Sequence, residues 1–175
     1  MNILIIRLKC KNLAFCKRNS SNRNMKKSYS LIWCTILALT LIATGCKKKV
    51  KPVSERIAKA WTAESVKHGP TVVYTRGGST NSVPAYSAFR LTLNDASGTK
   101  TVSYTEFDGS TFSGTWELDG DSKLILKELT PAPTGSGGTV EFTITSLDDA
   151  RLILTRLKTS PKTGGTINEY TLSNP

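Results

Sequence analysis

Residues Phe89-Arg90-Leu91-Thr92-Leu93, the turn-forming Asn94-Asp95-Ala96-Ser97-Gly98, and then Val102-Ser103-Tyr104-Thr105 carry the pattern that decides the fold. In an extended chain successive side chains point to opposite faces. Phe89, Leu91 and Leu93 therefore share one face, with Arg90 and Thr92 on the other. Val102 and Tyr104 repeat the arrangement after a turn, as a hairpin with one dry and one wet face does.

The same period of two runs outward in both directions. Phe112, Trp116 and Leu118 share a phase with Gly114, against Ser113, Thr115 and Glu117. Val140, Phe142 and Ile144 alternate with Glu141, Thr143 and Thr145. Turn signals separate these runs at short intervals: Gly69-Pro70, Arg76-Gly77-Gly78, Asp108-Gly109, Asp119-Gly120, Gly135-Ser136-Gly137-Gly138, Asp148-Asp149 and Gly164-Gly165. Asp-Gly between alternating runs marks a hairpin, because Gly and Asp tolerate the positive φ of its turn. The spacing predicts strands near 61–67, 71–76, 86–93, 100–107, 112–118, 122–128, 139–146, 151–158 and 166–172. No helix-length segment interrupts them, which excludes parallel crossovers. The expected fold is all-β, an antiparallel up-and-down barrel of eight to nine strands, since closure removes exposed edges. Ser54-Glu55-Arg56-Ile57-Ala58-Lys59-Ala60 is expected to form a short helix before it, with Ser54 as the N-cap.

The chain of 175 residues carries 24 Lys and Arg against 13 Asp and Glu, a formal charge of +11. Eight of those bases lie in residues 1–46, which hold no acid, and Lys47, Lys48, Lys49 and Lys51 follow them. Residues 52–175 hold twelve bases and thirteen acids. The positive charge belongs to the N-terminus, and no basic groove for nucleic acid is expected in the barrel.

From Met25 the chain reads Met25-Lys26-Lys27-Ser28, an uncharged run from Tyr29 to Ala43, and Thr44-Gly45-Cys46. This is the layout of a secretory signal, and its run is short for a bilayer crossing. Ala43-Thr44-Gly45-Cys46 resembles a bacterial lipobox. The resemblance implies diacylation of Cys46, a cut before it and acylation of the new amino terminus, giving stable anchoring to a membrane. A transmembrane anchor, or a cut signal with an incidental Cys, is the other reading. Expected divisions are 1–24 as an upstream extension or a mis-assigned start, 25–45 as the signal peptide, 46–53 as the lipidated Cys and tether, and 54–175 as the barrel. With Lys at position 47, the resemblance to Gram-negative lipoproteins implies the outer membrane. The absence of acidic residues after the Cys points to a periplasm-facing position. Cys10, Cys16 and Cys34 also lie in the leader, so the barrel has no thiol for a disulfide, a metal or nucleophilic catalysis.

The order of the barrel segments resembles a family. Ile57-Ala58-Lys59-Ala60-Trp61 is similar to the lipocalin start, where Gly-x-Trp opens the first strand, although Gly is missing here. Phe89 to Asn94, Ser113-Gly114-Thr115-Trp116-Glu117-Leu118, Lys123-Leu124-Ile125-Leu126, Phe142 to Leu147 and Leu152-Ile153-Leu154 follow in the order of lipocalin-like domains found in many lipoproteins of Bacteroidota. The resemblance covers residues 54–173. It implies a barrel binding a small hydrophobic or amphipathic molecule. The inward set Phe89, Leu91, Val102, Tyr104, Phe112, Trp116, Leu126, Phe142 and Ile144 then lines the cavity; the other reading, which the burial needed by a domain of this size favours for each residue, is that the set fills the barrel as a core. In lipocalins a late Arg packs over the first-strand Trp at the closed barrel end, which implies a Trp61–Arg156 pair. A strand-end Arg reaching water is the alternative.

Little else carries chemistry. His68, the single histidine, sits beside the Gly69-Pro70 turn and reads as a solvated loop residue. Asp119-Gly120-Asp121 lacks the further ligands of a calcium loop, and Asp148-Asp149 reads as a hairpin end. No cofactor, metal or catalytic residue is expected, and the chain is expected not to be an enzyme. A non-enzymatic envelope module recognising a protein or glycan through the loops Arg76 to Pro84 and Thr130 to Gly138 is the alternative function.

Overall fold

In the computed structural model, which describes residues 50–96 and 98–175, strands stand at each of the nine expected positions. They are β1 (Ala60–His68), β2 (Thr71–Thr75), β3 (Arg90–Ala96), β4 (Thr99–Thr105), β5 (Thr111–Asp119), β6 (Lys123–Thr130), β7 (Val140–Leu147), β8 (Arg151–Arg156) and β9 (Asn168–Ser173). All pairings are antiparallel, and β9 returns to β1, so that β1 and β3 to β9 close an eight-stranded barrel.

β2 is the departure from a simple meander. One edge of β1 pairs with β9 from Thr62 to His68, while the other is divided. Ala60, Trp61 and Thr62 pair with β3, and Ser65 to His68 pair with β2. β2 is thus a ninth strand flanking the barrel. Its outer edge is met by the chain coming back, with Val83 N–H donating to the Val73 carbonyl at 3.1 Å. The return passes through a 3-10 turn over Pro84–Ala88, where the third strand was expected to begin. Pro84 lacks the N–H that a ladder needs at that point.

The short helix α1 (Val53–Ile57) has Pro52 at its N-cap and no side-chain cap, so Ser54 does not cap it. It closes one end of the barrel. The Trp61 indole N–H donates to the Ile57 carbonyl at 2.9 Å, and Lys59 Nζ to the Asp149 carbonyl at 2.6 Å. The turns on this helix end are tight. Asp148 Oδ1 caps its own turn by accepting the backbone N–H groups of Ala150 and Arg151. The opposite, loop end carries the longer connections 106–110, 131–139 and 157–167, together with the Pro84–Ala88 turn.

Alternation puts Trp61, Leu91, Leu93, Val102, Trp116, Leu124, Leu126, Leu152, Leu154 and Leu172 inside, all buried. Ile144 is half-buried, and just beyond it the ladder with β8 shifts between Ile144 and Ser146, which carries the end of β7 out of phase. Gly114 is a close-approach position. The β5–β6 register shifts between Ser113 and Thr115, Glu128 opposite takes a positive φ of 54°, and a Cβ on Gly114 would collide with the Lys127 carbonyl oxygen. Gly114→Ala is therefore expected to destabilise by about 1–3 kcal/mol, as overpacking does. A lowered urea midpoint with an unchanged β-type far-ultraviolet spectrum is the expected measurement. A midpoint equal to that of the unmodified protein would contradict the account.

Candidate functional site

Strands β4, β7 and β9 and the residue leading into β3 bring aromatic rings together inside the barrel. Phe89, just before β3, stacks on Tyr170 of β9 with centroids 5.0 Å apart. Tyr104 of β4 meets Phe89 at 5.8 Å and Phe142 of β7 at 6.5 Å, and Phe142 meets Tyr170 at 6.0 Å. These are contact distances for aromatic pairs, so side chains occupy the lumen at this level. Toward the helix end the interior continues as leucines around Trp61 and Trp116.

Toward the loop end it becomes polar. Glu106 and Arg156 lie there 5 % exposed each, with the Arg156 Nη1 to Glu106 Oε1 distance at 3.7 Å. The Tyr104 hydroxyl donates to Glu106 Oε1 at 3.2 Å. Lys162 reaches in from the 157–167 loop, its Nζ 2.7 Å from both Glu106 Oε2 and Asp108 Oδ2 and over the Phe112 ring at 5.6 Å. Asn168 donates to the Tyr170 hydroxyl at 3.2 Å and accepts from Thr163 and Thr166, which ties the 157–167 loop to the base of β9. From the other side the Pro84–Ala88 turn inserts Tyr86, whose ring packs on Phe107 at 4.9 Å. Removal of water pushes the phenols of Tyr86, Tyr104 and Tyr170 up from their ordinary value, so all three stay neutral donors.

The expected Trp61–Arg156 pair is not made. Arg156 stands level with Asn168 and His68 through the β8–β9–β1 ladder, about seven residues along the wall from Trp61, or roughly 20 Å at 3.3 Å per residue. The period of two placed both side chains inside the barrel, but at opposite ends. Trp61 instead has Lys59 Nζ over its ring at 5.7 Å. His68 is not a solvated loop residue either. It ends β1 half-buried, with Nε2 2.6 Å from the Tyr86 hydroxyl, and burial lowers its pKa.

Of the inward set, Phe89, Leu91, Val102, Tyr104, Phe112, Trp116, Leu126 and Phe142 are buried in one continuous core, with only Ile144 at its margin. Asp119 and Asp121 are exposed in the β5–β6 turn. Cys46, the signal segment and residues 1–24 lie outside the described residues. Glu106, Tyr86, Lys162, Asn168 and Tyr170 form the loop-end cluster but were not picked out from the sequence. A signal existed for Glu106: it continues the inward phase of Val102 and Tyr104, as Arg156 continues that of Leu152 and Leu154.

A sequence profile of the family described as the lipocalin-like domain matches residues 57–154, more than half of the chain. The chain belongs to the lipocalin-like domain family. A solved structure similar to it is the crystal structure of a lipocalin-like protein from Bacteroides uniformis, 15% identical, covering 69% of this chain and 99% of that one with a TM-score of 0.43. No curated protein matches the chain. For this lipocalin-like chain the family suggests a ligand-binding barrel, and the loop end is where buried polar groups converge.

The Lys162 contacts make the loop end sensitive to acid. The hydrogen bond from Lys162, helped by the Ser110 backbone N–H, holds the Asp108 carboxyl below its ordinary 3.8. A carboxylate whose pKa is depressed in the folded state stabilises above its unfolded value and loses that contribution as pH falls through the folded value. The difference in thermal midpoint between the parent protein and Asp108→Asn is thus expected at neutral pH and to shrink below about pH 4. A difference constant with pH would contradict the assignment.

Proposed function

We propose that this chain is a lipid-anchored envelope protein that binds a small amphipathic molecule at the loop end of its barrel. The observation carrying the binding part is the change of chemistry along the barrel interior. Aromatic rings close the lumen at mid-height, and buried charge and phenols stand between them and the loops. Buried polar groups cost stability unless they are partnered, and a few convergent polar groups among aromatic walls suit an amphipathic ligand.

The anchoring part rests on Ala43-Thr44-Gly45-Cys46, and Lys47 favours an outer-membrane, periplasm-facing position. Cys46 precedes Val50 by four residues, about 14 Å of extended chain at most. The chain then enters α1 at the helix end, with Lys51 held to Glu55 there. On this reading the helix end faces the membrane and the loop end the aqueous compartment. The reading is of a binder and not of an enzyme, supported by a lone histidine already engaged by Tyr86 and by the lack of thiols after Cys46.

Recognition of a protein or glycan through the loops is the second reading. It is favoured by Val72 and Ile167, exposed apolar residues that flank the β1–β2 turn at the same end.

Two measurements test the proposal. Cells fed an alkyne-tagged fatty acid are expected to label the protein, while Cys46→Ser is expected to lose both the label and the membrane fraction. Mass spectrometry of solvent extracts from protein purified out of its native host is expected to release a bound small molecule. If no molecule is released and none of a panel of amphiphiles is retained in native mass spectra, the second reading prevails.

A further inference from the structure

Arg156 and Glu106 are the incompletely satisfied groups of the loop end. The Arg156 side chain is 5 % exposed, yet Nε has no hydrogen-bond partner among the described residues. Nη1 stands 3.7 Å from Glu106 Oε1, well beyond the 2.7–2.9 Å of a charge-assisted hydrogen bond. Glu106 is already engaged: Oε1 accepts from Tyr104, and Oε2 faces Lys162 at 2.7 Å, although without hydrogen-bond geometry. Arg156 and Lys162 therefore converge on Glu106, the only fully buried carboxylate of the cluster. The other nearby acid, Asp108, is 38 % exposed and takes the Ser110 backbone N–H. Arg156 Nε and Glu106 Oε2 are thus both buried without a hydrogen-bond partner among the described residues, and a buried charged donor left unmade is costly and rare in native proteins.

We propose that the loop end is a site for a compact apolar carboxylate, whose carboxylate group rests on the Nε-bearing edge of the Arg156 guanidinium. This rests on the ligand-binding reading above and names its ligand class. A guanidinium presents paired N–H groups in a planar fork that a carboxylate matches with two oxygens, which a hydroxyl or an ammonium cannot do. The body must be compact because Phe89, Tyr104, Phe142 and Tyr170 meet across the lumen below, leaving no passage for a long chain. The surroundings are aromatic, with Tyr86 meeting Tyr170 edge-on at 6.3 Å. Lys162 is the movable member. Its turn, Pro161–Thr163, is followed by Gly164 and Gly165, both at positive φ, and its side chain is 20 % exposed, so it can leave Glu106 and close over an entering anion.

Isothermal titration of the detergent-solubilised full chain with phenylacetate, 2-phenylethanol, 2-phenylethylamine and palmitate tests the proposal. Phenylacetate is expected to bind at least about tenfold more tightly than the alcohol or the amine, and palmitate no more tightly than phenylacetate. Replacing Arg156 alone would strand Glu106, so the variant is the double Arg156→Met, Glu106→Gln, which removes both charges together. With its fold checked by circular dichroism, it is expected to lose at least about tenfold in phenylacetate affinity and to keep its affinity for the alcohol. Arg156→Lys, retaining the charge without the fork, is expected to lose a similar factor.

Equal affinity for the three phenyl probes would overturn the carboxylate assignment while leaving the ligand-binding reading intact, as would unchanged phenylacetate affinity in either variant. Palmitate binding far more tightly than phenylacetate would overturn the compact body. No binding of any probe, together with no molecule released from native protein, would overturn both readings.

Discussion

The double use of one edge of β1 is the constraint on which the barrel depends. A closed sheet needs every strand paired on both sides, and β1 is where closure happens. Its first three residues hold β3, its last four hold β2, and its far edge holds β9 from Thr62 to His68. Because β2 takes the upper part of that edge, β3 cannot extend alongside β1 toward the loop end. The space is filled by the Pro84–Ala88 turn, which carries Tyr86 to the mouth of the barrel. The aromatic and polar character of the loop end thus follows from how the sheet is closed.

The two ends solve opposite problems. At the helix end, α1 covers leucines and indoles, and the polar atoms there go to backbone carbonyls at turns, as Lys59 and Trp61 do. Burial of apolar surface supplies the stability, at about 25 cal/mol per Å². At the loop end Glu106, Arg156 and Asn168 are buried among phenols, where ion pairs barely repay their desolvation. A well-packed apolar plug would suit folding at least as well, so stability alone does not account for the charge there.

Strand positions were legible because a period of two is written by the side chains themselves, as in Phe89-Arg90-Leu91-Thr92-Leu93. What alternation cannot express is height along the barrel. It put Trp61 and Arg156 correctly inside, yet their separation depends on register set through β9, far away in sequence. Nor does it show where a strand starts late, as at Pro84–Ala88, or where a bulge changes phase, as after Ile144. The loop-end cluster was half legible. Glu106 and Arg156 sit in inward phase on their strands, but Lys162 comes from a loop with no period at all.

The pairing of β1 with β9 also sets the order in which the molecule can assemble. Val66 meets Tyr170 and Ala63 meets Leu172, contacts between the first and the last strand of the barrel. Hairpins from β3 to β8 can form as they emerge, but β1 keeps an open edge until β9 arrives. Long-range pairing of this kind slows folding and prolongs the interval in which an unpaired edge can find the wrong neighbour. A nascent chain that stalls before β9 is therefore a set of adhesive hairpins, and rapid delivery of its last segment matters as much to the barrel as any residue in its core.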